Sequence, residues 1–443
     1  MRQNLIHVIG AGLAGSEATY QIAMRGIPVI LHEMRPHKMT EAHTTSQFAE
    51  LVCSNSFGSV SENSASRILK DELKQLGAFV LSVAESIAVP AGASLAVDRI
   101  KLSQIITETL EKHPLVTIQR EEISQLPKDG ITILATGPLT SKSLISSLQP
   151  IFGDNSLYFY DAISPIISTD SLDMEKLYYA NRYDKGETKD FLNVPLTEDQ
   201  YNTLVDDLLS GEVVLPHNFE EEKYFESCMP IEAIAARGRK TLAFGPMKPV
   251  GLNDPQTGKR PFAVVQLRTE NRYKTSYNLV GFQTKLKYKE QERIFRKLPG
   301  LERAEFLRLG SMHRNTYIDS PRLLNPSLQL KTQPEVFVAG QLTGTEGYLE
   351  STATGLLAGV NASQLYLDRA EMILPDTTIL GALLQTITDP NRTNFQPMNV
   401  NMGLFPPLEN FSGKDKKLKN SLLSVRSNEI LSSWKTTKNW PSI

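Results

Sequence analysis

Short runs of apolar residues, too compact for helices, set the frame of this chain. Leu5 to Ile9, Ile27 to His32, Ile131 to Ala135 and Val336 to Ala339 each read as a strand buried on both faces. The first run leads into Gly10-Ala11-Gly12-Leu13-Ala14-Gly15. A helical pattern then spans Ser16 to Arg25 and Gly26 stops it. With the second run this makes a strand–turn–helix–strand unit ending at Glu33. The segment from Met34 to Ser66 is rich in Ser, Thr, Asn and Gly and predicts a long functional loop. Further on, Lys101 to Lys112 predicts an amphipathic helix and Val116 to Gln119 a strand.

The texture changes near Ser156. Strand-like pieces alternate with acidic and aromatic loops, and Pro165 within Ala162 to Ser168 predicts an edge strand at best. Val336 to Gly340 is followed by Gly344, Gly347 and a small-residue helix from about Ser351 to Ala362, a second strand–turn–helix cradle. The pattern predicts an α/β fold in three segments. Residues 1–156 form the first part of a nucleotide-binding domain and 157–305 an inserted α+β domain. Residues 306–443 form the second part of the first domain and a basic tail.

Gly10, Gly12 and Gly15 form G-x-G-x-x-G, and each has a task. Gly10 allows the sharp turn, Gly12 lets backbone N–H groups approach a pyrophosphate, and Gly15 lets helix and strand pack closely. The helix N-terminus adds favourable partial positive charge. Ala11, Leu13 and Ala14 belong to the same cradle. Glu33 follows Gly15 by 18 residues, where a carboxylate accepts from ribose hydroxyls. This unit alone does not choose between NAD, FAD and S-adenosylmethionine. A strand ending in Ala135-Thr136-Gly137 and a late strand ending in Ala339-Gly340 resemble the flavin-binding Rossmann fold of glutathione-reductase type, which favours resident FAD.

Composition narrows the rest. The 443 residues carry 47 Lys and Arg against 49 Asp and Glu, so any nucleic-acid site is a local patch. Lys285 to Lys297 holds six basic and two acidic residues, and the tail from Gly413 holds seven basic and two acidic. Lys285, Lys287, Arg293, Lys414, Lys416 and Lys417 are the nucleic-acid-binding candidates among them. The two cysteines, Cys53 and Cys228, exclude a disulfide scaffold and fit a reducing cytoplasm. Histidines show no ligand spacing, so no metal is expected. No apolar stretch is long enough to span a membrane, and the N-terminus does not read as a signal peptide.

Several strings resemble one family: Val8 to Glu17, Glu33-Met34-Arg35-Pro36, Phe48 to Ser56, Phe244 to Gly251, Met312 to Tyr317 and Glu346 to Ser351. They are similar to the folate- and FAD-dependent tRNA (uracil-5-)-methyltransferases of the TrmFO or Gid type, over nearly the whole chain to about residue 412. The departure at Val194, where relatives can carry cysteine, leaves Cys53 and Cys228 untouched. The resemblance implies formation of 5-methyluridine in the tRNA T-loop. Methylenetetrahydrofolate supplies the carbon, reduced flavin relays it, and NAD(P)H supplies electrons; the same chemistry on a 23S ribosomal RNA uridine is the alternative. It also implies that the family's two working thiols are Cys53 and Cys228.

The chemistry requires a thiolate at C6 of uracil to make C5 nucleophilic, and a base to remove the C5 proton. Cys228 is assigned to C6 and Cys53 to the flavin side, with the reverse division left open. Tyr348, beside Gly347, suits stacking on the isoalloxazine ring or on a pterin.

Overall fold

The computed structural model describes residues 5–152, 157–162, 164–184, 189–214, 224, 229–271, 273–392, 395–409, 411 and 415–440; of residues 157–161, 184, 313 and 314 it describes the backbone alone. In chain order the first elements are β1 (Ile6–Ile9), α1 (Leu13–Ala23), β2 (Val29–His32), β3 (Ser56–Ser59), α2 (Ala65–Leu76) and α3 (Phe79–Ser86). They continue with β4 (Ala88–Val89), β5 (Ser94–Val97), α4 (Arg99–Glu111), β6 (Val116–Gln119), β7 (Ile131–Leu134), α5 (Lys142–Phe152) and β8 (Leu157–Ala162).

Next come β9 (Ile166–Ser168), β10 (Tyr178–Tyr179), β11 (Phe191–Leu196), α6 (Glu198–Ser210), α7 (Ile231–Ala236) and α8 (Thr241–Phe244). They are followed by β12 (Ala263–Thr269), β13 (Ser276–Leu279), α9 (Tyr288–Phe295) and β14 (Phe306–Arg308). The chain closes with β15 (Met312–Tyr317), α10 (Ser320–Leu323), β16 (Val336–Val338), α11 (Tyr348–Tyr366), α12 (Ile379–Thr388) and α13 (Lys416–Thr437).

The apolar runs assemble into one parallel sheet in the order β16-β7-β1-β2-β6. Every residue of β1, β7 and β16 is buried, as a sheet covered on both faces demands. The crossover α1 packs against α11 through glycines. A Cβ on Gly355 would lie 2.3 Å from the Ala14 carbonyl oxygen, and one on Gly359 would lie 2.7 Å from that of Ala18. Backbone-to-backbone approach of this kind sets the first turn of α1 against the middle of α11.

A second sheet, antiparallel throughout, has the order β10-β11-β12-β13-β9-β14. Its hydrophobic cluster runs from Ile167 to Ala304, whereas the other large cluster draws on Ile6 to Leu148 and Tyr317 to Trp440. The antiparallel ribbon of β8 and β15 carries the chain between them. The second sheet reaches Arg308, three residues beyond the boundary expected at 305. Pro165 also behaves differently from expectation. It precedes β9 and breaks the run there, and β9 lies between β13 and β14 rather than at an edge. The missing N–H falls outside the ladder, while the Pro165 carbonyl accepts from Leu279 N at 3.2 Å.

The tail is folded where described. Asp415 caps α13 by accepting from Lys417 N and Leu418 N at 2.9 and 3.0 Å. Leu423 and Leu431 are buried, Gln75 Nε2 donates to Asn428 Oδ1 at 2.8 Å, and Trp440 Nε1 reaches the Leu76 carbonyl at 3.3 Å. The helix therefore clamps α2.

Candidate active site

At the carboxyl edge of the parallel sheet lies a cleft of about 1050 Å³. Its walls carry Gly10, Ala11, Gly12, Leu13, Ala14, Glu33, Thr136, Gly137, Gly340 and Tyr348, all of them expected from sequence. Gly15 and Gly347 stand behind the wall and shape it. Gly10 has φ +97°, and a Cβ there would meet the Ala135 carbonyl oxygen at 2.6 Å. A Cβ on Gly15 would lie 1.8 Å from the Gly10 carbonyl oxygen. Gly12 is the opposite case. Its Cβ would meet nothing within 4 Å, so the missing side chain leaves open space at the N-terminus of α1. No side chain caps that helix. Bare N–H groups facing an open cradle fit a pyrophosphate.

Glu33 is held more tightly than the sequence suggests. Its Oε2 accepts from Ala11 N at 3.0 Å and from Arg35 Nη2 at 3.1 Å; Oε1 accepts from Arg35 N and Nε, both at 3.0 Å. Burial opposes ionisation, but the Arg35 bonds and charge hold the carboxyl below its ordinary value. Arg35 also reaches Glu50 at 3.2 Å. Glu50 in turn accepts from the N–H and hydroxyl groups of Thr44 and Thr45 at 2.7 to 3.1 Å. His43 beside them is pushed down to about 4 by burial and by the Arg35 charge, so it is neutral near pH 7. Arg35, His43 and Glu50 were not singled out from sequence, although Arg35 lies in the Glu-Met-Arg-Pro string.

At the other end of the cleft Tyr348 decides the geometry. Its hydroxyl donates to the Ser54 carbonyl at 2.9 Å and accepts from Cys53 N at 3.1 Å. Tyr348 opens α11, whose N-cap residue Gly347 offers no side-chain cap. Cys53 is half-buried one residue beyond Val52, which lines the cleft. Its carbonyl accepts from Arg99 Nη2 at 3.4 Å, and the Leu51 carbonyl from Arg99 Nη1 at 3.1 Å. Arg99 Nε lies 2.5 Å from Glu270 Oε2, so the second sheet is tied to the thiol loop by a buried ion pair. Asn55 adds a second tie, donating to Val97 and Thr269 carbonyls, both at 3.0 Å.

A family model described as glucose inhibited division protein A matches residues 5–370. The chain belongs to that family.

Within it, the chain is 53% identical to the methylenetetrahydrofolate–tRNA-(uracil-5-)-methyltransferase TrmFO of Halalkalibacterium halodurans, covering 96% of this chain and 97% of that protein. It is 53% identical to the TrmFO of Geobacter sulfurreducens over 93% and 94% of the two chains. The TrmFO of Enterococcus faecalis is 51% identical over 96% and 97%. The crystal structure of Aquifex aeolicus GidA shares the fold, with a TM-score of 0.67 at 16% identity, covering 97% of this chain and 73% of that one. The recognition of the TrmFO/Gid type from sequence motifs, and of its α/β Rossmann architecture, therefore stands.

The remaining expected site residues of this GidA-family chain fare unevenly. Cys228 and Lys414 lie outside the described residues. The 285–297 patch is not a bare cationic face. Lys287 pairs with Glu212 at 2.8 Å, Arg293 with Asp207 and Glu290 at 2.7 and 2.6 Å, Arg296 with Glu292 at 3.4 Å, and Lys297 with Asp207 at 2.8 Å. Lys285 donates to the Tyr224 hydroxyl at 3.0 Å. Acids on α6 and α9 and after α6 neutralise the patch, and two of them, Asp207 and Glu212, lie far from it in sequence. Lys416 and Lys417 are exposed on the first turn of α13. Among the described residues no His, Cys, Asp and Glu cluster suits a metal, and no helix is long and apolar enough to cross a membrane.

Proposed function

We propose that this chain is a methylenetetrahydrofolate- and FAD-dependent enzyme that methylates C5 of a uridine in the T-loop of tRNA, with NAD(P)H as reductant. The observation that carries the reading is the hydrogen bond from Cys53 N to Tyr348 at the end of the cleft. It joins a dinucleotide cradle to a thiol in a chain half identical to proteins named for this reaction.

FAD would lie with its pyrophosphate on the N-termini of Gly12 to Ala14, its ribose at Glu33 and its isoalloxazine ring toward Gly340 and Tyr348. When bound, it supplies the two-electron chemistry that takes the folate carbon from methylene to methyl. The chain's own residues position the reactants. Arg35 keeps the Glu33 carboxylate ionised, and α1 offers its N–H groups without rearrangement. Tyr348 sets the backbone at Cys53, and Arg99 fixes that loop from the other side.

For the nucleic acid, one thiolate, assigned to Cys228, adds to C6 of uracil and makes C5 the nucleophile. Cys53 serves the flavin side or takes the C5 proton. Loss of that proton and expulsion of the thiolate restore the ring. The balance is methylenetetrahydrofolate, uridine, NAD(P)H and one proton giving 5-methyluridine, tetrahydrofolate and NAD(P)⁺.

Purified protein, unmodified tRNA, NAD(P)H and methylenetetrahydrofolate labelled in its one-carbon unit test the reading without S-adenosylmethionine. Label in a T-loop uridine is expected. Label confined to 23S ribosomal RNA, or absent from any RNA, refutes it.

A further inference from the structure

The ion pairs along α9 leave open where an RNA strand meets this protein, and the thiol end of the cleft offers another surface. Arg99, whose guanidinium holds the Leu51 and Cys53 carbonyls, is followed by Ile100 and Lys101 on the first turn of α4. Ile100 is 72% exposed. The turn between β12 and β13 comes to the same place, because Glu270 pairs with Arg99. Its Tyr273 is also 72% exposed, with Lys101 Nζ 5.6 Å from the ring centroid.

Asn271 fixes this turn, accepting from Tyr273 N at 3.1 Å and Thr275 N at 3.3 Å. The aromatic ring is therefore presented by a preorganised loop. Beside it Lys274 Nζ lies 4.7 Å from the Tyr179 ring. Among the described residues neither Lys101 nor Lys274 has a carboxylate partner, in contrast to Lys287, Arg293, Arg296 and Lys297.

Deeper in, Arg268 is 8% exposed and its Nε has no hydrogen-bond partner. A large exposed ring, an exposed aliphatic neighbour and unpaired lysines, continuous with a buried guanidinium near the thiol, have the composition of a platform for unstacked bases and their phosphates.

We propose that Tyr273 and Ile100, with Lys101 and Lys274, form the surface on which an RNA strand lies next to the target base. Tyr273 stacks on a splayed-out base and the lysines take its phosphates. This rests on the functional reading above.

The test measures binding of unmodified tRNA, and separately of oligouridine, to the holoenzyme as a function of salt. The variants are Tyr273→Ala, Tyr273→Phe, Lys101→Ala with Lys274→Ala, and Lys287→Ala with Arg293→Ala. Loss of one stacked base is worth about 1–3 kcal/mol, so Tyr273→Ala should raise Kd about 5- to 150-fold, whereas Tyr273→Phe should bind like wild type. The paired lysine variant should lower the salt slope by about two. Flavin content should not change in any of them.

Wild-type affinity in Tyr273→Ala, or a larger loss in the α9 variant, overturns the proposal. RNA binding through Tyr273 without methyl transfer would sink the functional reading and leave this surface standing. Methyl transfer with Tyr273→Ala unaffected would do the reverse. A wild-type protein that binds neither RNA removes both.

Discussion

Two glycines of one fingerprint should respond in opposite ways to the same methyl group. At Gly12 the backbone has φ −71° and ψ −168°, a conformation alanine adopts freely, and the added Cβ would meet nothing within 4 Å. The entropy advantage of alanine over glycine, about 0.4–1 kcal/mol, is offset by its poorer performance at an N-cap, so the apoprotein should keep its stability to within about 0.5 kcal/mol. The methyl group would, however, project into the space the pyrophosphate needs. Weakening a single charge-assisted hydrogen bond costs about 1.5–3 kcal/mol, or roughly 10- to 150-fold in affinity.

At Gly15 the same Cβ would lie 1.8 Å from the Gly10 carbonyl oxygen. Backbone cannot rotate away, so α1 must shift off β1, at a cost at the upper end of or above the 1–3 kcal/mol of an overpacked core. Urea unfolding of the apoprotein and absorbance titration with FAD separate the two effects. Gly12→Ala should unfold like wild type and bind FAD poorly; Gly15→Ala should lower the urea midpoint even without FAD. Full FAD affinity in Gly12→Ala, or wild-type apoprotein stability in Gly15→Ala, would refute the division of roles.

Other outcomes follow from the same geometry. Tyr348→Phe removes the hydroxyl between Cys53 N and the Ser54 carbonyl, so methyl transfer should fall about tenfold or more while flavin content holds; equal single-turnover rates would count against a positioning role. Cys228→Ala should abolish methyl transfer and keep the flavin, and a fully active variant would remove that thiol from the mechanism. Glu72 is raised to about 7 by burial. The folded state therefore binds its proton more tightly than the unfolded state, and its contribution to stability falls as pH rises from about 4.5 to 7, by on the order of 3 kcal/mol. Relative to wild type, Glu72→Gln should lose that slope, and identical pH dependence of the urea midpoints would contradict it. Leu431→Ala, on the buried face of α13, should cost about 2–5 kcal/mol, whereas a change below about 0.5 kcal/mol would show that the tail does not clamp α2.

Local patterns carried the cofactor half of this site. Consecutive apolar residues marked β1, β2, β7 and β16 because a strand covered on both faces has no polar side to show. The glycine spacing marked the cradle because its three positions answer three different steric demands. What the chain order hides is everything made by return contacts. Cys53 and Tyr348 stand 295 residues apart in sequence, and no periodicity links them. Arg99 meets Glu270 only because the second sheet is set against the thiol loop. The 285–297 stretch looks cationic in sequence because its principal neutralising carboxylate, Asp207, comes from α6. Pro165 misled by its identity alone, since a proline just ahead of a strand costs the ladder nothing.

The contact of α1 with α11 also bears on how the protein is made. Ala14 and Ala18 emerge from the ribosome early, yet the glycines that close over them, Gly355 and Gly359, are synthesised after the whole second sheet. Until then β7 is an open edge awaiting β16, and one flank of α1 is uncovered. Sheet completion is thus a late, long-range event; a chain released before residue 336 would present an unpaired strand, and one released before residue 355 a bare small-residue stripe, to chaperones and proteases.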